Sequence, residues 1–433
     1  MNFNKRKSCI AAALVFSAIS ASSAMAQTVI GGGSSLVGPS ITTEIGDFNA
    51  SPDTLSLTYF ITSSGTGQTA FLNDNASFFN SSVTGAVDFA NSDAALSSSY
   101  ITSYDSSTFA TTDKGGPLIQ IPFITTPITI PYVNGPTSST DTFLGPQTTP
   151  NQTHSLALSD SDLCGIFSGQ ITNWNKVINP DTGSSFSVNA PITVVYRSDS
   201  SGTTDLLTRH LAAVCPANGV SIFSETQTFT ANFPSGFPTG ATFIGASGSG
   251  GIQNELTSLS AAGTAAVAYI SPDWTNKLLA PQSSSAAANL AVASLVNSHL
   301  TNSPLGKADV APTYTQADNA VATAESTIPA SKATAKVQSN WVPGSSDPSV
   351  GYPISGTSQI VLSQCYANSS VASSLVNFLT DHYSTAEYTS VVNGNGFDVP
   401  TAYVSAITND FLSNGNGYNI NINGSECTSG SGR

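Results

Sequence analysis

The chain has 433 residues, of which 12 are Lys or Arg and 26 are Asp or Glu, so its formal net charge is -14 and only 9% of its residues are charged. So few cations over so long a chain exclude a protein that binds nucleic acid through its phosphates, because such binding depends on clustered lysine and arginine. Hydrophobic residues make up 39% of the sequence, which is enough to form folded domains, about two or three by length.

The N-terminal segment has the pattern of a secretory signal peptide. Three cations at positions 5–7 precede an apolar run at 10–19, and Ala-Met-Ala at 24–26 is a small-x-small cleavage site. The run is too short to cross a bilayer. The sequence therefore predicts that residues 1–26 are removed on export, and that the protein is periplasmic or secreted and not inserted in a membrane.

Apolar runs bounded by turn residues alternate with helix-compatible stretches in the remaining chain. This alternation favours an α/β fold with largely parallel sheets. Two segments rich in Ser, Thr, Pro, Asn and Ala, at 229–242 and 281–348, are expected to be surface insertions, and 428–433 is expected to be a disordered end. The predicted strands are 55–61, 118–124, 128–133, 192–196, 265–270 and 359–362, and the predicted helices are 204–214 and 371–382.

Three of the apolar runs are each followed by a turn of Gly, Ser and Thr and then by a helix-compatible segment. The turns lie at 31–36, 62–67 and 197–203. A helix start offers unpaired N–H groups and the positive end of the helix dipole, so such turns are good sites for an anion. One such turn alone is more often only a helix cap. The shared pattern of the three suggests one small, dense anion.

Four cysteines follow position 26, and an even number in an exported chain indicates disulfides. Three pairings are formally possible. We favour Cys164 with Cys215 and Cys365 with Cys427, because each pair closes a loop of moderate length. The sequence does not indicate a metal site, since it has no Cys-x-x-Cys and its four histidines are dispersed.

A fourth segment, 87–96, places Asp93 among small and apolar residues. With it, the four segments in this order resemble the exported phosphate-binding protein of the bacterial phosphate ABC transporter, and more closely its DING-type relatives. Residues 163–174, the loop 245–251 and residues 352–355 extend the resemblance through most of the chain, and the cysteines fall where DING-type members pair theirs. The most specific single motif is Arg-x-Asp-x-Ser-Gly-Thr at 197–203.

The resemblance implies a set of phosphate-binding residues. The family turn Gly-x-Gly-Ala-Thr, followed by Phe or Leu, maps its hydroxyl to Ser35 and its N–H to Leu36. The serine of the second turn maps to Ser64, with Ser63 as the rival because the usual glycine before the serine is missing. The expected binding residues are Ser35, Leu36, Ser64, Asp93, Arg197, Ser201, Gly202 and Thr203, with Asp199 orienting the arginine and Ser63 in a supporting position.

The chemistry of Asp93 fits phosphate independently of the resemblance. Phosphate keeps at least one proton between roughly pH 6 and 9, whereas sulfate is an acceptor only. A buried Asp93 carboxylate can accept a hydrogen bond from phosphate and repels sulfate. We therefore expect this one contact to supply the discrimination between the two anions.

The resemblance also implies a fold and a function. The fold is a two-lobed α/β fold of the periplasmic-binding-protein type II, with two crossing hinge strands and the ligand in the cleft between the lobes. Lobe one would contain 27–124 and 355–433, and lobe two would contain 125–354. The implied function is high-affinity phosphate binding by a monomer, either for uptake by an ABC permease or for scavenging outside the cell, with no cofactor.

Two other functions are compatible with the sequence. One is a secreted DING-type phosphomonoesterase, although no Gly-x-Ser-x-Gly elbow and no metal cluster is present, and the only histidine near the anion motifs is His210. We expect His210 to be half-exposed and without a role. The other is a secreted adhesion or matrix protein on the same fold, since fold does not determine function.

Overall fold

The computed structural model describes residues 28–51, 55–107, 115–300, 308–323, 328–344, 346–413, 415–420, 427 and 432–433. The expected signal peptide, 1–26, lies outside these residues, as do positions 428–431 of the expected disordered end. Within the described ranges, no helix has both the length and the hydrophobicity needed to cross a membrane.

Five strands form the first sheet, in the order β2-β1-β3-β14-β4. They are β1 (Val29–Gly33), β2 (Leu57–Ile61), β3 (Phe89–Ser92), β4 (Leu118–Pro127) and β14 (Ser355–Ser363). β1 runs parallel to β2 and β3, whereas β14 is antiparallel to both of its neighbours. The chain leaves this sheet along β4 and returns along β14, so these two long strands run in opposite directions.

The second sheet has the order β10-β9-β11-β5-β12-β13, and β6 pairs with β12 outside this path. Its strands are β5 (Ile130–Val133), β6 (Ala157–Leu158), β9 (Thr193–Arg197), β10 (Thr242–Ala246), β11 (Ala266–Ala268), β12 (Ala291–Val296) and β13 (Asp309–Val310). β9 is parallel to β10 and β11, while β5 is antiparallel to β11 and β12. Both sheets are therefore mixed, and the expectation of largely parallel sheets is wrong.

Helices cover both sheets and connect their strands. The α-helices are α1 (Gly38–Phe48), α2 (Ser64–Leu72), α3 (Ser98–Asp105), α4 (Asp160–Ser168), α5 (Gly202–Val214), α6 (Gly248–Ala261), α7 (Tyr314–Ala322), α8 (Lys332–Ala335), α9 (Ser369–Ser384), α10 (Ala386–Gly394) and α11 (Thr401–Ile407). A separate small hairpin is formed by β7 (Ile178–Asn179) and β8 (Ser184–Ser185), and a π-helical turn, Thr408–Leu412, continues α11. Short 3-10 helices lie at Ala76–Phe78, Trp174–Lys176, Cys215–Asn218, Phe229–Asn232, Pro272–Trp274, Ser284–Ala288 and Gln338–Trp341.

All six predicted strands and both predicted helices are present, with ends that differ by a few residues. The two segments expected to be surface insertions, 229–242 and 281–348, each contribute described residues to the folded core. β12, in the second segment, is a buried strand between β5 and β13. Phe229, in the first, is fully buried in a cluster of aromatic rings. Their Ser- and Ala-rich composition masks these apolar positions.

Part of the segment 281–348 packs on the first sheet, although it was expected in lobe two. Helix α7 contacts β4 and β14. The Gln338 side chain donates a hydrogen bond to the Leu118 carbonyl of β4 at 2.9 Å. Trp341 is fully buried, and its ring centroid lies 5.2 Å from that of Phe411. Helix α7 and the Gln338–Trp341 turn therefore brace the two long strands that connect the sheets.

Two disulfides are present, Cys164–Cys215 and Cys365–Cys427, and these are the pairs that the sequence analysis favours. The first joins α4 to the residue that follows α5, and the second joins the end of β14 to the C-terminal segment. In the chain-entropy model, each contributes about 4 kcal/mol to the free energy of unfolding.

Arg433 is anchored in the protein, contrary to the expectation of a disordered end at 428–433. Only 8% of the residue is exposed. Its guanidinium donates to the Asp74 carboxylate at 3.0 Å and to the carbonyls of Val87 and Phe71 at 2.8 and 2.7 Å, and it stacks 3.6 Å from the Phe71 ring. A buried cation is stable only with such partners, and the local sequence at the C-terminus does not reveal partners this distant.

We expect Arg433→Ala to lower the free energy of unfolding by about 2–4 kcal/mol, because it removes the ion pair with Asp74 and two buried hydrogen bonds to carbonyl groups. Urea unfolding monitored by circular dichroism measures this loss. The matched control is Lys176→Ala, which removes an exposed cation and should change stability by less than about 0.5 kcal/mol. Equal losses in the two variants would contradict the anchoring role.

Candidate functional site

The first turn and the segment that contains Asp93 meet where β1 and β3 end side by side. In the β1–β3 pair, Gly33 lies opposite Asn91, and the Ser34 N–H donates to the Asn91 carbonyl at 2.8 Å. Gly33 has φ +132°, and a Cβ there would lie 2.2 Å from the Asn91 oxygen, so only glycine fits. This close packing places Ser34, which follows β1, beside Asp93, which follows β3.

The second turn begins α2 and distinguishes the two serines that the sequence left open. Ser63 is the N-cap, since its side chain accepts the Thr66 N–H at 3.2 Å. Ser64 Oγ lies 3.3 Å from Asp93 Oδ2 and also accepts the Asp93 N–H at 3.2 Å. Ser64 therefore faces Asp93, while the Ser63 side chain caps the helix.

The third turn connects β9 to α5 and brings the second sheet to Asp93. Ser201 is the N-cap of α5 and accepts the Thr204 N–H at 3.3 Å. Thr203 Oγ1 accepts from Arg197 Nη1 and donates to Asp93 Oδ2, both at 3.4 Å. A Cβ on Gly202 would lie 2.6 Å from the Asp93 Cβ, so glycine permits this close approach.

Arg197 ends β9 and is held by Asp199. The Arg197 side chain is 2% exposed, and its Nε and Nη2 donate to Asp199 Oδ1 and Oδ2 at 2.8 and 2.5 Å. Burial alone would raise the pKa of Asp199, but the hydrogen bonds and charge of Arg197, together with the Gly248 N–H, outweigh it and lower this pKa. Asp199 thus stays ionised and fixes the plane of the guanidinium, with Nη1 near Thr203.

Asp93 lies at the centre of these contacts and is 2% exposed. Its Oδ1 accepts from Ser34 Oγ at 2.6 Å, and its Oδ2 faces Ser64 and Thr203. Burial raises the pKa of Asp93, while hydrogen bonds from Ser34 and Ser358 and the charge of Arg197 oppose this rise. Asp93 is therefore a desolvated acceptor surrounded by hydroxyl groups.

The expected residues Ser35 and Leu36 lie at the same place but have partners that the sequence did not predict. Ser35 Oγ accepts the N–H of Ser249, at the start of α6, at 3.0 Å. The Leu36 N–H donates to Ser34 Oγ at 3.0 Å, and the Trp274 indole donates to the Ser35 carbonyl at 3.3 Å. The sequence analysis gave Ser249 no role. Its position after β10 repeats the strand–turn–helix pattern, and this signal could have identified it.

His210 belongs to the core, so the expectation that it is half-exposed is wrong. It is 1% exposed, with its ring nitrogens 3.1 Å from Asp160 Oδ1 and 2.9 Å from the Ser346 carbonyl. These two polar partners compensate for the loss of hydration when the imidazole is buried. Among the described residues, no group of three or more His, Cys, Asp or Glu side chains is arranged to hold a metal ion.

The structure brings all eight expected binding residues to one place between the two sheets. The first residues of α2, α5 and α6 meet there, together with one guanidinium and one buried carboxylate, and helix starts favour anions through their dipoles. Such a site can bind a small oxyanion that carries at least one proton. The protein has a two-lobed α/β fold with a candidate anion site between its lobes.

Comparison with known proteins shows the family. A model of the PBP superfamily domain matches residues 18–380, and the chain belongs to the PBP superfamily. It is 33% identical over 411 residues to alkaline phosphatase L of Pseudomonas aeruginosa, covering 94% of each chain.

Two solved structures show the same fold. An ancestral soluble variant of the human phosphate binding protein superposes with a TM-score of 0.73 at 30% identity, covering 94% of this chain and 99% of that one. A high-affinity periplasmic phosphate-binding protein, PfluDING, solved with phosphate bound at pH 8.5, has a TM-score of 0.70 at 31% identity and the same coverage. These comparisons confirm the two-lobed type II fold and the DING-type resemblance.

Proposed function

We propose that the chain binds inorganic phosphate between its lobes, outside the cytoplasm. The observation that carries this proposal is the buried Asp93 carboxylate within the same cluster as Arg197 and three helix starts. A carboxylate in an anion site excludes a fully deprotonated anion, but it accepts a hydrogen bond from phosphate, which keeps a proton at neutral pH. The two structural relatives reported above are both named as phosphate-binding proteins.

The other expected residues supply donors. Arg197 provides the positive charge and a planar edge of N–H groups. Ser35, Ser64 and Thr203 provide hydroxyl groups, and Gly202 provides an N–H group at the first residue of α5. Charge-assisted hydrogen bonds contribute roughly 1.5–3 kcal/mol each, so several of them in a buried site hold a dianion with one cation.

The proposed lobes are 27–124 with 355–433 and 125–354, although the packing of α7 and the Gln338–Trp341 turn on the first sheet favours placing those elements in lobe one. The lobes contact each other beyond the site. The Gly65 N–H donates to the Ser200 carbonyl at 3.1 Å, and the Gln227 side chain donates to that of Gln68 at 3.2 Å. Binding residues come from both lobes, so phosphate favours this closed arrangement over an open one.

The protein is proposed to act as an exported monomer that passes phosphate to an ABC permease or retains it outside the cell. The signal-peptide pattern at 1–26 supports export. One relative is named as periplasmic, which agrees with this location.

A second candidate function is hydrolysis of phosphomonoesters. The observation that favours it is the 33% identity to a protein named alkaline phosphatase L. A chromogenic phosphomonoester assayed with and without chelator measures this activity. Hydrolysis that disappears in both Ser64→Ala and Arg197→Ala would place it in this site, whereas hydrolysis retained in both variants would assign it to another site or to a contaminant.

Calorimetric titration of the wild-type protein in phosphate-free buffer tests the proposed function. We expect one site per chain for phosphate and for arsenate, which has the same shape and also carries a proton. Sulfate at the same concentration should give no heat of binding and should not displace phosphate. Sulfate that competes as well as phosphate would refute the role of Asp93.

A further inference from the structure

Ser34 forms a continuous hydrogen-bonded link between the backbone and Asp93. Its side-chain oxygen accepts the Leu36 N–H at 3.0 Å and donates to Asp93 Oδ1 at 2.6 Å. Ser34 is only 1% exposed, so water does not compete for these bonds. A peptide dipole thus polarises a hydroxyl that in turn donates to a carboxylate, and each bond strengthens the next.

The backbone of Ser34 is fixed on both sides. Its N–H donates to the Asn91 carbonyl at 2.8 Å, and its own carbonyl accepts from the Tyr59 hydroxyl at 2.9 Å. These two hydrogen bonds hold the Ser34 backbone in place, so the position from which its hydroxyl group extends toward Asp93 is fixed. It has only one oxygen of Asp93 within hydrogen-bonding distance, Oδ1.

The two oxygens of Asp93 consequently differ. Oδ1 is engaged by Ser34 at short distance, whereas Oδ2 faces Ser64 and Thr203 at 3.3 and 3.4 Å, and both of these are expected phosphate-binding residues. We propose that Ser34 is a positioning residue that turns Oδ2 of Asp93 toward the bound phosphate and stabilises the carboxylate, thereby setting the pH below which the site stops rejecting sulfate. This inference rests on the proposed phosphate-binding function.

The electrostatic surroundings of Asp93 agree with this role. Burial raises the pKa of Asp93, and the hydrogen bond from Ser34 is the largest influence that opposes it. The charged or titratable groups coupled to Asp93 through their charges are Arg197, Asp205, Asp273 and Tyr59. Arg197 lowers the pKa of Asp93, whereas the pKa values of Asp205, Asp273 and Tyr59 are raised mainly by burial and further by the Asp93 charge. Loss of the Ser34 hydroxyl therefore raises the pKa of Asp93. A protonated Asp93 donates to sulfate, so sulfate binding begins at a higher pH.

Competition of sulfate with phosphate, measured by calorimetry from about pH 5 to about pH 8.5, tests this inference. In Ser34→Ala, we expect the pH at which sulfate begins to displace phosphate to rise by about one to two units. This shift in pKa corresponds to the loss of one charge-assisted hydrogen bond to the carboxylate. Ser34→Thr keeps the hydroxyl and should retain the wild-type profile. A purely structural role of Ser34 would not move this pH.

The matched control is Ser40→Ala, which removes a buried hydroxyl from α1 and should leave the pH profile unchanged. If Ser34→Ala does not fold, Ser34→Cys, whose thiol is a weaker donor, should shift the profile in the same direction by a smaller amount. Superimposable profiles for wild type and the folded variant would overturn the role of Ser34 and leave the phosphate-binding function intact. A wild-type protein that does not bind phosphate would overturn both proposals.

Discussion

Arg197→Ala is expected to weaken phosphate binding by about a thousandfold or more. The substitution removes the cation of the site and also leaves Asp199 and Asp93 without their positive partner in a buried location. Truncating one member of a buried, hydrogen-bonded charge pair costs roughly 2–5 kcal/mol, and about 4 kcal/mol corresponds to a thousandfold change in Kd. Arg197→Lys keeps the charge but not the two-point geometry, so we expect an intermediate loss.

Calorimetric titration with phosphate at constant ionic strength measures these losses. Arg209→Ala is the matched control, because Arg209 lies on α5 and forms ion pairs with Asp205 and Glu225 outside the candidate site. This control should bind phosphate within about threefold of wild type, since each tenfold change requires 1.4 kcal/mol. A Kd for Arg197→Ala within about tenfold of the wild-type value would show that Arg197 does not contact the anion.

Asp93→Asn is expected to reduce the preference for phosphate over sulfate by at least about a hundredfold. The carboxylate rejects sulfate because both are acceptors, whereas an asparagine amide can donate to either anion. Removing a repulsive contact changes specificity more than affinity. We therefore expect sulfate binding to appear in this variant, with a smaller change in the Kd for phosphate.

The ratio of the two dissociation constants, measured above pH 7, checks this prediction. Asp88→Asn is the matched control: Asp88 is buried just before β3, accepts the Ile30 N–H at 2.7 Å, and has a pKa raised by burial to about 7. This control tests the same change of side chain outside the site and should keep the wild-type ratio. Equal ratios in Asp93→Asn and wild type would show that another group discriminates between the anions.

The expected site residues follow from local sequence patterns, whereas the packing around them depends on distant partners. A strand that ends in a Gly/Ser/Thr turn before a helix is a local pattern. The first two turns lie together because the parallel neighbours β1 and β2 end at the same edge of the first sheet, whereas the third follows β9 of the second sheet. The choice between Ser63 and Ser64 could not be made from the sequence. It depends on which serine is the N-cap of α2, and a shift of one residue changes the direction of a side chain by about 100°.

Features that depend on distant partners could not be predicted. The 281–348 segment is rich in small residues, and its strand β12 is recognisable only once β5 and β13 lie on either side of it. Arg433 is buried because Asp74 and two carbonyls, more than 340 positions away in the chain, surround it. Ser34 had no sequence signal of its own, since its role depends on a bond to a residue 59 positions away.

Each of the two disulfides connects segments on one side of the anion site, and no disulfide between described residues spans it. An oxidising compartment therefore stiffens each half internally without adding a covalent tether between the halves. In the proposed binding cycle, the rate of opening and phosphate release depends on weak polar bonds between the halves, such as that from Gly65 to Ser200. Mild reductant should lower the melting temperature while leaving the release rate at ambient temperature nearly unaltered.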